Sequence, residues 1–141
     1  MVEFFKYEKG YWYPHMKPRD VAIWERFIDK HPDYYEKVQY DFGIGDVPDF
    51  ITNASSVEGQ RMAELYKLKI DVLGYKDDII DLIEVKPDAG ASTIGQVLGY
   101  VQIYKRDEKP ALKIQPLIVT DVLRPNMQFL CDTQGVEIII V

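Results

Sequence analysis

The chain has 141 residues, 47% hydrophobic and 28% charged, which is the size and composition of one globular domain and not of a disordered segment. A single cysteine, Cys131, excludes an internal disulfide and fits a reducing compartment, and apolar runs such as residues 138–141 are far too short to span a membrane. The net charge of -6 argues against a protein that coats nucleic acid by bulk electrostatics. Two stretches run against that balance. Residues 1–19 carry Lys6, Lys9, Lys17 and Arg19 against Glu3 and Glu8, and residues 105–113 carry Lys105, Arg106, Lys109 and Lys113 against Asp107 and Glu108. The opening residues lack the charged-then-apolar layout of a signal peptide, so the expected address is the cytoplasm.

No repeat, low-complexity tract or long linker divides the chain, so residues 1–141 read as a single domain. The aromatic opening, Gly10 to His15, is irregular or a short strand. Pro18-Arg19-Asp20 then starts a helix with Asp20 as N-cap, and His31-Pro32 stops it. Its apolar stripe is Val21, Trp24, Phe27 and Ile28. Glu25, four residues after Val21 and three before Ile28, sets a carboxylate at the margin of that stripe.

Val38, Tyr40 and Phe42 alternate with Gln39 and Asp41, the pattern of a half-buried strand, which Gly43 and Gly45 bend or end. Ser55 to Glu58 reads as a capping box before a short helix. A hairpin follows: residues 69–75 form one strand, 76–78 the turn and 79–86 the second strand, closed by Pro87. Ser92 or Thr93 caps another helix with a core stripe of Ile94, Val97, Leu98 and Val101. Residues 112–119 form an apolar strand, 124–131 a short helix after Pro125, and 136–141 a final buried strand. This order predicts an α/β domain, a mixed sheet flanked by helices.

Folding the hairpin about Asp77 brings Asp71 opposite Ile83 or Glu84. Glu84 and Lys86, two apart, point the same way. Two carboxylates and an ammonium then meet with apolar residues on either side. Clustered carboxylates repel unless a cation sits between them, and oxygen donors of this kind suit Mg²⁺ or Mn²⁺ better than zinc. A neighbouring lysine can polarise a water or hold a phosphoryl oxygen, which completes the parts for metal-assisted phosphodiester hydrolysis.

Asp71, then Glu84-Val85-Lys86, followed by a helix carrying Gln96 and Tyr100, resembles the PD-(D/E)XK nuclease superfamily. The Gln96-x-x-x-Tyr100 pair is similar to the extra motif of its RecB-like exonuclease branch. The predicted element order covers most of the chain and implies the restriction-endonuclease-like fold, an α-β-β-β-α-β core with a further terminal strand. The resemblance implies that Asp71, Glu84 and the Val85 carbonyl bind Mg²⁺ or Mn²⁺, and that Lys86 positions or activates the attacking water. It implies that Glu25 is the acidic residue of the first core helix, assisting the metal and facing the same hollow. Gln96 and Tyr100, one turn apart on a face distinct from the core stripe, orient Lys86 or touch the nucleic-acid backbone. Ile70, where the family pattern has proline, is a departure at a loose position.

The implied activity is a divalent-metal-dependent deoxyribonuclease that leaves a 5′-phosphate, in DNA repair, recombination, restriction or mobile-element or viral DNA processing. The implied partner is DNA, with no membrane. So small a chain has no room for a sequence-reading domain, which favours single-stranded, branched or end structures. The alternative is a catalytically inactive subunit of the same fold that binds nucleic acid or a partner. Lys105, Arg106 and Lys109 are the candidate phosphate patch, with a solvated helix end as the plainer account. The Tyr11-Trp12-Tyr13 cluster stacks on bases, closes the core or makes an oligomer contact such as a homodimer's. His15 and His31, the only histidines, are too far apart in sequence to suggest a histidine metal site. Gly95 and Gly99 permit close approach of another element or of substrate. Asn53-Ala54-Ser55 matches a glycosylation acceptor, and Cys131 is expected to pack in the core.

Overall fold

The computed structural model describes residues 2–10, 12–52 and 56–141. Tyr11 and the Asn53-Ala54-Ser55 tripeptide lie outside the described residues.

Helix α1 runs Pro18–Lys30. Pro18, with no N–H to satisfy, opens it, so Asp20 is not the cap but the third helical residue. The Asp20 carboxylate reaches back to accept a hydrogen bond from the Lys17 N–H at 3.1 Å. The buried face is Ile23, Trp24, Phe27 and Ile28, while Val21 is only half-buried. Trp24 stacks on Phe27 with ring centroids 5.1 Å apart, and its indole N–H donates to the Tyr40 hydroxyl at 3.0 Å. That bond ties the helix to strand β1 (Lys37–Ile44).

Helix α2 (Asp49–Thr52), which the sequence reading did not anticipate, comes next, followed by α3 (Val57–Tyr66), the short helix expected after the capping residues. Ser56 caps α3 by accepting from the Gly59 N–H at 3.0 Å. Strands β2 (Leu68–Lys76) and β3 (Ile79–Val85) form the expected hairpin. Asp77, at φ 47°, takes the left-handed turn position that Asp tolerates better than most residues. Helix α4 runs Ala91–Glu108 from Gly90 as N-cap, so Ser92 and Thr93 lie inside its first turn and neither caps it. Then come β4 (Lys113–Thr120), α5 (Met127–Gln134) and β5 (Glu137–Ile140).

The strands build one mixed sheet in the order β1-β2-β3-β4-β5, antiparallel across the first two pairings and parallel across the last two. This bears out an α/β domain with a mixed sheet and helices. Helix α1 and the N-terminal aromatics cover one face through Trp24, Phe27, Tyr35, Val72 and Ile83. Helices α4 and α5 cover the other through Ile80, Leu82, Ile94, Val97 and Cys131. Cys131 is fully buried, as expected. Strand β5 is an edge with only one neighbour, and its residues are half-buried or exposed, not the buried set the apolar run suggested. Among the described residues no helix is long and apolar enough to cross a membrane.

Simple alternation fails at one level of the sheet, in β1 and also in β2, where Ile70 faces α4 and Val72 faces α1. Val38 and Tyr40 face α1, whereas Phe42 and Ile44 face α4, although all four are even-numbered. Between them Asp41 adopts φ 54°. A left-handed residue turns the rest of the strand over, and such strained positions concentrate at functional sites. The register places Asp41 opposite Asp71, between the pairs Tyr40↔Val72 and Phe42↔Ile70.

Candidate metal centre

Strands β2 and β3 pair Val72 with Ile83, so one step further Asp71 stands opposite Glu84. Of the two registers open to the sequence, the structure takes the one that sets carboxyl against carboxyl. Asp71 is oriented by the Val85 N–H, which donates to its Oδ2 at 2.9 Å. Glu84 follows Leu82 on the face covered by α4 and is only 5% exposed. From α4, the Gln96 amide donates to Glu84 Oε2 at 3.3 Å and to the Tyr100 hydroxyl at 3.2 Å. Among the described residues no hydrogen-bond donor reaches the other oxygen, Glu84 Oε1.

A buried carboxylate with an orphan oxygen costs several kcal/mol unless something cationic joins it. Burial, and then the Asp71 charge, hold the Glu84 carboxyl well above its ordinary range, and burial does the same to Asp71. The two carboxyls titrate as one unit that keeps a proton between them when no cation is bound. A shared proton or a divalent ion is therefore what this pair needs. Hard oxygen donors in this setting fit Mg²⁺ or Mn²⁺. Among the described residues no group of three or more His, Cys, Asp or Glu side chains converges as a ready ligand set. The fit rests on the two carboxylates, and backbone carbonyls and waters would complete the shell.

The hollow above the pair has a volume of about 620 Å³ and is lined by Lys17, Arg19, Asp20, Asp71, Glu84, Lys86 and Gln96, with Pro18, Val85 and Pro87. Lys86 is exposed and makes no ion pair among the described residues. Its N–H donates to the Val119 carbonyl at 3.0 Å, which fixes its backbone just past the end of β3.

Glu25 does not join this group. Its carboxylate accepts from the Tyr13 hydroxyl at 3.0 Å and is not part of the hollow's lining. Asp20 lines the hollow instead, and its charge acts on Asp71. Helix geometry explains the exchange: five residues advance about 140° around the axis, so the two acids of α1 cannot face one place. The sequence reading spent Asp20 on capping and so missed it. Asp41 was missed because alternation assigned it to solvent. The His15 Nε2 lies 3.1 Å from Asp41 Oδ2, and burial pushes the Asp41 carboxyl up.

Lys105, Arg106 and Lys109 lie at the far end of α4, with Lys109 about 20 Å along the helix from Gln96. Arg106 is engaged by Asp107 at 2.8 Å and Asp46 at 3.2 Å. The structure thus separates this patch from the hollow. Trp12 is 75% exposed, whereas Tyr13 is buried against Tyr40. A Cβ at Gly95 or Gly99 would meet nothing within 4 Å, so among the described residues no other element packs closely on them.

The chain matches no protein-family profile, no curated protein and no solved structure.

Proposed function

We propose that the chain is a Mg²⁺- or Mn²⁺-dependent nuclease of PD-(D/E)XK type, with a restriction-endonuclease-like fold, that hydrolyses phosphodiester bonds of DNA in the cytoplasm. One observation carries this: a buried glutamate with an oxygen that no donor reaches is set against a second carboxylate, with a lysine next on its side.

Asp71, Glu84 and the Val85 carbonyl would hold the ion, with Asp20 at the margin in place of Glu25. The bound ion supplies Lewis acidity and eases ionisation of the attacking water. Lys86 sets a positive charge where the phosphoryl oxygens gain negative charge. Gln96 steadies Glu84 through the Tyr100 link. Water oxygen adds to phosphorus as the bond to the 3′ oxygen breaks, which leaves a 5′-phosphate and a 3′-hydroxyl.

The test incubates purified protein with Mg²⁺ or Mn²⁺ and single-stranded, nicked, flapped and branched DNA, beside Glu84→Ala and Lys86→Ala. Metal-dependent cleavage that falls by about 10³-fold in both variants is the expected result. Cleavage that persists in both marks a contaminant. DNA binding without cleavage on any substrate supports a binding subunit of the same fold.

A further inference from the structure

The hollow over Asp71 and Glu84 is lined by charges of both signs. Its acids are Asp20, Asp71 and Glu84, and its cations are Lys17, Arg19 and Lys86. In a chain of net charge -6 this is a local departure. Two of those cations belong to the N-terminal turn of α1. Lys17 is exposed and has no ion-pair partner among the described residues. Arg19 is held only loosely, 3.6 Å from Asp121, with its side chain 72% exposed. The same turn leaves the Arg19 and Asp20 N–H groups without an intrahelical acceptor, directed out of the helix start. Glu84 lines the same hollow, and its unpartnered oxygen set against a second carboxyl, Asp71, is the independent sign that this hollow takes a ligand. Once a divalent ion neutralises the acids, the rim is net positive and suited to an anion.

We infer that Lys17 and Arg19, with the N-terminal turn of α1, bind a second phosphate of the substrate strand, next to the one that is cut. The inference rests on the nuclease reading and deepens it by naming a second contact to the substrate strand. The site then selects a polynucleotide strand over an isolated phosphodiester. Its phosphate contact is the start of α1, and not the Lys105–Lys109 patch at the far end of α4.

Hydrolysis of a short single-stranded oligodeoxynucleotide and of bis(p-nitrophenyl) phosphate, which has one phosphate only, tests this in Mn²⁺. The double variant Lys17→Ala/Arg19→Ala lowers the ratio of oligonucleotide to small-diester kcat/KM by about tenfold or more, mainly through KM. The salt dependence of the oligonucleotide KM loses about one to two in log–log slope. The charge-retaining pair Lys17→Arg/Arg19→Lys recovers most of the ratio. An unchanged ratio, or an equal fall on both substrates, overturns the inference while wild-type cleavage keeps the nuclease reading. If the wild type hydrolyses neither substrate, both fall together.

Discussion

Asp81 and Glu84 stand three residues apart on β3, sealed to 1% and 5% exposure. Asp81 faces the α1 side and is met by groups that want an anion. The Tyr35 hydroxyl donates to its Oδ2 at 2.6 Å, and the Lys76 ammonium lies 3.5 Å away over the Tyr34 ring. Burial and then the Asp81 charge push the Tyr35 phenol far up, so it remains a donor at any physiological pH. Glycine at position 74, directly across from Asp81, makes the arrangement possible, because a Cβ there would come within 2.6 Å of the Tyr35 ring. Glu84 faces the α4 side and meets another carboxyl instead. Each acid has one oxygen without a donor, so burial and orphan atoms do not separate them. The sign of the neighbours does. One site is a closed structural pair. The other, on the proposed reading, is the one that a cation completes.

That contrast can be broken most sharply by activity. Glu84→Gln should abolish metal-dependent cleavage, a loss on the order of 10³-fold, whereas Asp81→Asn should change kcat only a few-fold once measured well below its unfolding temperature. Comparable losses from both would end the distinction. Stability should show the reverse order. Gly74→Ala forces the Tyr35 ring off Asp81 and should cost about 2–3 kcal/mol, read as a lower urea midpoint.

Glu84→Gln should instead stabilise the metal-free protein, with a pH signature. In the unfolded chain these carboxyls lose their protons near pH 4, roughly their ordinary value. Burial raises both in the fold, and the Asp71 charge raises Glu84 further. The folded state therefore holds protons that the unfolded state has lost, and its stability falls as pH rises through the raised values. The variant escapes that fall, so its advantage should be near zero at about pH 4 and grow to about 2 kcal/mol at pH 9. Saturating Mg²⁺ should shrink the advantage, because the ion replaces the missing positive charge. A flat difference across pH would show that the two carboxyls do not share a proton. The smallest effect concerns the two acids of α1. Asp20→Asn should weaken Mn²⁺ affinity several-fold by titration calorimetry, while Glu25→Gln leaves it unchanged and costs about 1 kcal/mol through the lost Tyr13 bond.

Much of this was legible in the chain because it is local. Alternation and a short turn fix the β2–β3 hairpin, and with it the partner of Asp71, to within one residue. Period-2 geometry puts Lys86 on the side of Glu84, and helical spacing puts Gln96 and Tyr100 one turn apart. The residues misjudged are those whose direction depends on something beyond their own element. Glu25 sits at the edge of a correctly read stripe, yet which edge faces the hollow is decided by how α1 lies on the sheet. Asp41 alternates as a solvent residue until a left-handed backbone turns the strand over.

The sequence by itself determined most of the elements and placed the hairpin register to within one residue, since each follows from repeat geometry within about twenty residues. Only the tertiary structure decided that Glu84 is buried under α4 while Asp81 is paired by Tyr35 and Lys76, and that Asp20 replaces Glu25 at the hollow. Burial and the sign of a neighbouring charge arise when separate elements pack, and no spacing within one element encodes them.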